Sequence, residues 1–160
     1  MSGQVAARTQ ADAAAVSARV RDDHRTLHGL LVILAREAAS ASARNAGREH
    51  VRLALTALRD ALLLHLDYEE RELVALLRTA SAWGPVLVTR VVSEHTAQRA
   101  SVTALVGDAD DGSARNLSDL AEEITWFAKG LERDMEREEV ELLAPGALGE
   151  EYVASDQEDG

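Results

Sequence analysis

The chain has 160 residues, enough to bury a core as a single domain, and 46% of them are hydrophobic while only 3% are aromatic. The formal net charge of −11 argues against nucleic acid or an anionic membrane surface as a partner. Because the sequence contains no cysteine, it excludes disulfides, iron–sulfur clusters, cysteine-based zinc sites and thiol nucleophiles.

Both ends of the sequence are expected to lie outside the folded domain. Residues 1–14 are predicted to be a flexible N-terminus, and they lack the apolar stretch of a signal peptide, which favours a cytoplasmic location. Residues 146–160 contain five acidic residues and no Lys or Arg, so we predict a flexible acidic tail. No apolar run approaches the length of a membrane span.

Between these ends, four segments show the three- and four-residue apolar spacing of amphipathic helices. Their apolar stripes run through residues 16–34, 51–76, 88–105 and 117–142. Polar or glycine-containing loops are predicted at 41–47, 81–85 and 107–113. Pro85 suits a first helical turn, and Asn116 is placed to cap the last helix. The sequence therefore predicts an all-α fold, an up-down-up-down antiparallel four-helix bundle over residues 15–145.

Polar residues interrupt these stripes at positions that should face the core. They are His24, His65, Glu69, His95, Asp134 and Glu138. A buried carboxylate without a partner costs several kcal/mol, and carboxylates one turn apart on a helix repel each other. Lys and Arg are almost absent from the stripes, with Arg99 the main candidate for a counter-charge. A metal ion between the helices is the economical interpretation.

The spacing of these residues repeats. The segment HLDYEEREL, which begins at His65, shares three glutamates and a final leucine in register with DMEREEVEL, which begins at Asp134. His65 and Glu69 lie one turn apart, as do Asp134 and Glu138, and each pair follows a single histidine earlier in the chain. Two halves of one design predict two metal ions bridged by the glutamates. Nitrogen and carboxylate ligands without sulfur favour iron or manganese, with zinc as an alternative.

With these motifs the chain resembles the hemerythrin-like (HHE cation-binding) family of non-heme di-iron proteins, over roughly residues 15–145. The resemblance rests on DHRTLHGLL (23–31), HLDYEERELVALL (65–77), SEHTAQR (93–99) and DMEREEVELLAP (134–145). It implies that His24 and His65 bind one metal and His95 the other. It also implies that Glu69 and Glu138 are carboxylate bridges.

Two positions depart from the pattern of that family. Asp134 stands where the last motif of the family begins with His, and Arg99 stands where oxygen-carrying members place a further His. We predict that Asp134 is a metal ligand; the alternatives are pairing with Arg99 or Arg133, or a hydrogen bond from metal-bound water. A third carboxylate would stabilise Fe(III) over Fe(II), which favours oxidation chemistry, peroxide turnover or iron handling over reversible O₂ carriage.

Five further residues invite a prediction. His28, one turn after His24, is expected to be partly exposed or to contact a ligand rather than to be one. Glu70 and Glu139 are expected to point into solvent, and Trp126 and Phe127 to lie in the core.

Three functions follow as hypotheses. The first is a di-metal centre, two iron ions with manganese or a mixed pair as alternatives, that binds or reacts with O₂, NO or peroxide. The second is a di-iron oxidase or oxygenase acting on an organic substrate, and the third is a metal-free helical interaction module. Whether the chain is an enzyme is left open. A monomer or homodimer without nucleic-acid or membrane partners is expected.

Overall fold

The structure is a computed structural model that describes residues 2–111, 116–144 and 148, with side chains described from residue 11 onward. It contains five helices: α1 (Ser2–Arg44), α2 (Arg48–Arg71), α3 (Leu73–Ala80), α4 (Gly84–Asp110) and α5 (Leu117–Glu141). Among the described residues there is no β-strand. Helix α1 packs against α2 and α5, and α4 packs against α2, α3 and α5, which closes a ring of four. The predicted all-α four-helix bundle is confirmed.

The helices begin and end where local chemistry requires. Gly47, with φ 94°, adopts the left-handed conformation between α1 and α2, which an L side chain rarely tolerates. Gly84 begins α4 so close to the backbone carbonyl of Leu77 that a Cβ atom would not fit. Pro85 lies in the first turn of α4, and the Asn116 side chain accepts a hydrogen bond of 2.9 Å from the backbone N–H of Asp119. Both of these predictions are confirmed.

The repeat in the sequence is also a repeat in the backbone. The second predicted helix is interrupted at Glu72, which separates α2 from α3, and α5 ends at Glu141, the residue that corresponds to Glu72. The leucines that follow, Leu73 and Leu142, are both buried, with exposed fractions of 0% and 1%. The helices of the two copies therefore end within one residue of each other in the repeat register, and each copy inserts its leucine into the core.

The core consists of two apolar clusters. The first apolar cluster includes Leu27, Leu31, Leu58, Leu62, Leu66, Val102, Leu131 and Met135. The second contains Val16, Val20, Leu73, Val74, Leu77, Val91, Leu142, Leu143 and Leu148. In sequence, His24 and His95 each lie between a residue of the second cluster and one of the first, Val20 and Leu27 for His24 and Val91 and Val102 for His95. Glu69 lies between Leu66 of the first cluster and Leu73 of the second, and Glu138 lies between Met135 and Leu142 in the same way. A polar layer, formed by His24, His65, Glu69, His95 and Glu138, therefore separates them.

Three predictions about residues outside the core have different outcomes. Helix α1 begins at Ser2, so the segment predicted as a flexible N-terminus is helical from that residue, and its flexibility stays a prediction. In the predicted acidic tail, Leu148 is buried, and the other residues of 146–160 lie outside the described ones. The prediction that Trp126 lies in the core was wrong, because its exposed fraction is 78%, whereas Phe127 packs partly buried against the first apolar cluster.

No helix in the described part of the chain combines the length and the apolar content that crossing a membrane requires.

Candidate metal centre

Four buried side chains from three helices converge in the polar layer. They are His24 of α1, His65 and Glu69 of α2, and Glu138 of α5, and one ligand atom of each lies within 4.8 Å of all the others. Their exposed fractions do not exceed 4%. With metal–ligand bonds of about 2.1 Å, ligand atoms around one ion lie about 3 to 4.2 Å apart. The observed spread therefore needs only small adjustments to enclose one ion.

In each of the two glutamates, one carboxylate oxygen faces His24 and the other faces His95. Glu69 Oε1 is 3.6 Å from His65 Nε2 and 3.9 Å from His24 Nε2, while its Oε2 is 3.0 Å from His95 Nε2. Glu138 Oε2 is 3.4 Å from His24 Nε2, and its Oε1 is 4.0 Å from His95 Nε2. A carboxylate that bridges two metal ions needs this arrangement.

Four of the atoms that face the centre are buried and lack a hydrogen bond. Both carboxylate oxygens of Glu69 and the Nε2 atoms of His24 and His95 are buried without a hydrogen bond. Leaving a buried polar atom unsatisfied costs about 1–3 kcal/mol, and a charged one costs more. Buried nitrogen and oxygen donors that face one another suit a cation, so the residues present fit a metal.

Two further glutamates hold the single histidines from behind. Glu139 Oε1 of α5 is 2.9 Å from His24 Nδ1 of α1, and Glu70 Oε1 of α2 is 3.1 Å from His95 Nδ1 of α4. A carboxylate at Nδ1 favours the tautomer with the proton there, which leaves Nε2 free to bind a metal. The prediction that Glu70 and Glu139 are purely solvated acids was wrong. Their equivalent places in the repeat, next to the core glutamates, were the signal that could have revealed them.

Burial lowers the pKa of His65 and raises the pKa of Glu69. Burial, assisted by the nearby His24 and His95, lowers the pKa of His65 to about 3, so its imidazole is neutral and able to bind a metal. Burial also raises the pKa of Glu69 to about 7, and repulsion from Glu138 adds to the rise. Without a cation the centre thus retains a proton near neutral pH, and a bound metal would displace it.

A family model described as the Hemerythrin HHE cation binding domain matches residues 15–145, more than half of the chain. The chain belongs to the hemerythrin HHE cation-binding domain family. The resemblance drawn from the sequence motifs is confirmed, and the buried histidine–glutamate cluster is consistent with a cation-binding domain. Comparison with curated proteins and with solved structures gave no significant match.

In this hemerythrin-family chain, Asp134 does not join the four converging residues. Its Oδ2 accepts a hydrogen bond of 3.2 Å from the Gln98 side chain, and its Oδ1 accepts one of 3.0 Å from the Arg137 guanidinium. Its side chain is 24% exposed, unlike those of the polar layer. These partners differ from Arg99 and Arg133, the two that the sequence suggests. Ligation by Asp134 stays a prediction.

Arg99, at the position of the additional family histidine, is also engaged. Its guanidinium donates hydrogen bonds of 2.6 Å to both Glu70 and Asp67. These contacts, together with Glu70 at His95, link one histidine of the centre to a cation on the surface of the bundle.

A surface groove leads toward the centre from the side of α1 and α5. Its volume is about 370 Å³, and it is lined by His24, Arg25, His28, Glu132, Met135, Glu136 and Glu139. The side chain of His28 is 62% exposed and its Nδ1 lies 3.4 Å from Glu132, which agrees with the expected partly exposed residue. His24 is thus the residue through which the polar layer meets this groove.

Proposed function

We propose that this hemerythrin-family chain is a non-heme metalloprotein whose polar layer holds two iron ions bridged by Glu69 and Glu138. Manganese or a mixed iron–manganese pair is the alternative. The observation that carries the proposal is Glu69: its carboxylate is fully buried, its two oxygens face histidines on opposite sides, and neither makes a hydrogen bond. Nitrogen and carboxylate donors without sulfur favour these metals.

The small-molecule chemistry follows from the few protein ligands. Iron bound by so few side chains keeps open positions, at which it would bind or react with O₂, NO or peroxide. The two apolar clusters that flank the polar layer limit the access of water to the metal. The groove beside His24 offers a path for a small ligand. Glu139 and Glu70 hold the two single histidines in orientation.

A second candidate is a di-iron oxidase or oxygenase that acts on an organic substrate. The groove of about 370 Å³ favours it, since that volume accommodates more than a diatomic molecule. Turnover of an added organic compound, with oxygen consumed, would distinguish this function from small-molecule binding alone. A metal-free interaction module is disfavoured, because it would leave the buried oxygens of Glu69 without a partner.

Metal analysis and thermal unfolding test the proposal directly. Protein purified without added metal should contain iron or manganese, and metal-free protein should gain melting temperature when Fe(II) or Mn(II) is added. A metal at 100 times its Kd contributes about 2.7 kcal/mol, which corresponds to roughly 5–10 °C for a chain of this size. Absence of bound metal together with an unchanged melting temperature would overturn the proposal.

Two histidines one turn apart on α1 provide a matched control. His24 is 4% exposed and faces Glu138, whereas the side chain of His28 is 62% exposed. We expect His24→Gln to lose most of the melting-temperature gain and His28→Gln to retain it. Equal losses in the two variants would count against a centre at His24.

A further inference from the structure

The two metal positions of the centre differ in how completely the protein surrounds them. Resting on the metal binding proposed above, we propose that the two positions are unequal. The first position, at His24, His65, Glu69 and Glu138, fills first. The second position, beside His95, binds the same metal at least about tenfold more weakly.

The first position has four donors already in place. Its four side chains come from α1, α2 and α5, all are buried, and their ligand atoms lie within 4.8 Å of one another. Two of them, His24 and His65, are contributed to this position alone. Glu139 orients His24 through Nδ1. Little reorganisation is therefore needed to bind one ion there, which favours high affinity.

The second position has one donor of its own. His95 Nε2 is 3.0 Å from Glu69 Oε2 and 4.0 Å from Glu138 Oε1, but both glutamates also face the first position. The donor that the repeat would add is Asp134. It lies one turn before Glu138 on α5, at the place that His65 occupies in the first copy.

Both carboxylate oxygens of Asp134 are engaged by neighbouring side chains. Gln98 of α4 donates to one of its oxygens, and Arg137, three residues later on α5, donates to the other. Arg137 is itself held by Glu94 of α4 at 2.8 Å. For Asp134 to bind a metal, a partly buried ion pair must first break, which lowers the net affinity of the position.

Arg99 weakens the second position further. It lies one turn after His95 on α4, and its guanidinium bonds Glu70, the same carboxylate that accepts from His95 Nδ1. A guanidinium cannot bind a metal, and its fixed charge repels a cation nearby. Glu70 therefore divides its charge between Arg99 and the ring that it orients.

Titration of the metal-free full-length protein with Mn(II), followed by calorimetry and electron paramagnetic resonance, tests this inequality. We expect the first equivalent to give the spectrum of an isolated Mn(II) ion. A magnetically coupled pair should form only at a free Mn(II) concentration at least about tenfold higher. Saturation at one equivalent also supports the proposal. Two equivalents bound in one step, with the coupled signal present from the first addition, would overturn it. No binding of Mn(II) or Fe(II) would instead overturn the proposed function itself.

The two single histidines supply the matched variants. His24→Gln should weaken the first equivalent by more than about tenfold, while His95→Gln should leave it within about threefold and remove the second. The far-ultraviolet circular dichroism of each variant verifies that the bundle is folded. Equal weakening of the first equivalent by both substitutions would contradict the assignment.

A third variant tests the role given to Asp134 and does not alter any of the four converging residues. Arg137→Met removes one of the two groups that hold Asp134, so the second equivalent should bind several times more tightly. Adding Asp134→Asn in the same chain should cancel that gain. An unchanged second equivalent in Arg137→Met would show that Asp134 does not limit the position.

Discussion

The two helical hairpins carry one sequence pattern but use it differently. In the first half, His65 and Glu69 both belong to the polar layer; in the second half, Glu138 belongs to it, while Asp134 accepts hydrogen bonds from Gln98 of α4 and Arg137 of α5. The repeat has retained its inner glutamates, and it has lost equivalence at the first residue of each pair. The two halves therefore position their glutamates alike but position the residue one turn earlier differently.

The neighbours of that first residue account for the difference. Three residues after His65 comes Tyr68, which packs against the second apolar cluster, but three residues after Asp134 comes Arg137, which forms an ion pair with it. Counting from the single histidines, Leu27 in the first half corresponds to Gln98 in the second. Apolar neighbours leave a histidine free to face the centre, while a guanidinium and an amide give a carboxylate better partners elsewhere.

Glu69→Gln should impair metal binding at both positions and have the largest effect of the substitutions considered. The carboxylate faces the histidines of both positions, so its neutral amide should abolish metal binding at each. The loss should exceed the 10–100-fold that removing an outer hydrogen-bond partner typically costs. Calorimetric titration with Mn(II) measures it, and Glu72→Gln, an exposed glutamate of the same segment, is the control. Retention of one tight equivalent would show that Glu69 does not serve both positions.

The pH dependence of the free energy of unfolding of the metal-free protein should report on Glu69. A carboxyl whose pKa rises from 4.5 to about 7 on folding contributes stability below pH 4.5 that is lost as the pH rises through 7. The loss amounts to about 3 kcal/mol, at about 1.4 kcal/mol for each unit of pKa. His65 acts in the opposite sense, because its lowered pKa makes stability rise between pH 3 and its ordinary value of 6.5.

The measurement is therefore a difference between two chains. The free energy of unfolding of the wild type, relative to that of metal-free Glu69→Gln, should fall between pH 4.5 and 7.5. Parallel stability curves for the two proteins would rule out a buried, protonated Glu69.

Glu139→Gln and Glu70→Gln should each lower the metal affinity of a different position. Each removes the carboxylate at Nδ1 of one single histidine, which should cost about 10–100-fold in metal affinity. Glu139→Gln should weaken the first equivalent of Mn(II), and Glu70→Gln only the second, because Glu139 contacts His24 of the first position and Glu70 contacts His95 of the second. If both variants weakened the same equivalent, the histidines would share one metal.

The sequence predicted the fold and the burial of five of the six polar stripe residues because both depend on local spacing, while Asp134, 24% exposed, is the exception. Apolar residues three and four apart define the buried face of a helix, and Trp126 lies off the stripe formed by Leu120, Ile124 and Leu131 despite its apolar ring. The same rule explains why His24 was found: it occupies a stripe position.

Contacts between helices of different halves could not be predicted from the spacing of residues along one helix. Glu139 reaches His24 across the bundle, and Glu70 reaches His95, so neither pair is close in sequence. The side chain of Asp134 accepts hydrogen bonds from Gln98 and Arg137, and the spacing of the core stripe does not reveal such partners. Long-range pairing, rather than periodicity, determines these features.

Asp134→Asn should have the smallest effect and sharpens the comparison most directly. Asp134 is partly exposed, and pairs of this kind contribute about 0.2–1 kcal/mol, so the metal-free protein should lose no more than about 1 kcal/mol of stability. The first equivalent of Mn(II) should bind as in the wild type, because no atom of Asp134 belongs to the first position. Chemical unfolding and calorimetry measure the two quantities on the same protein. A marked loss of the first equivalent would mean that Asp134 leaves Arg137 and Gln98 when metal arrives, and that the two halves become alike once the centre is filled.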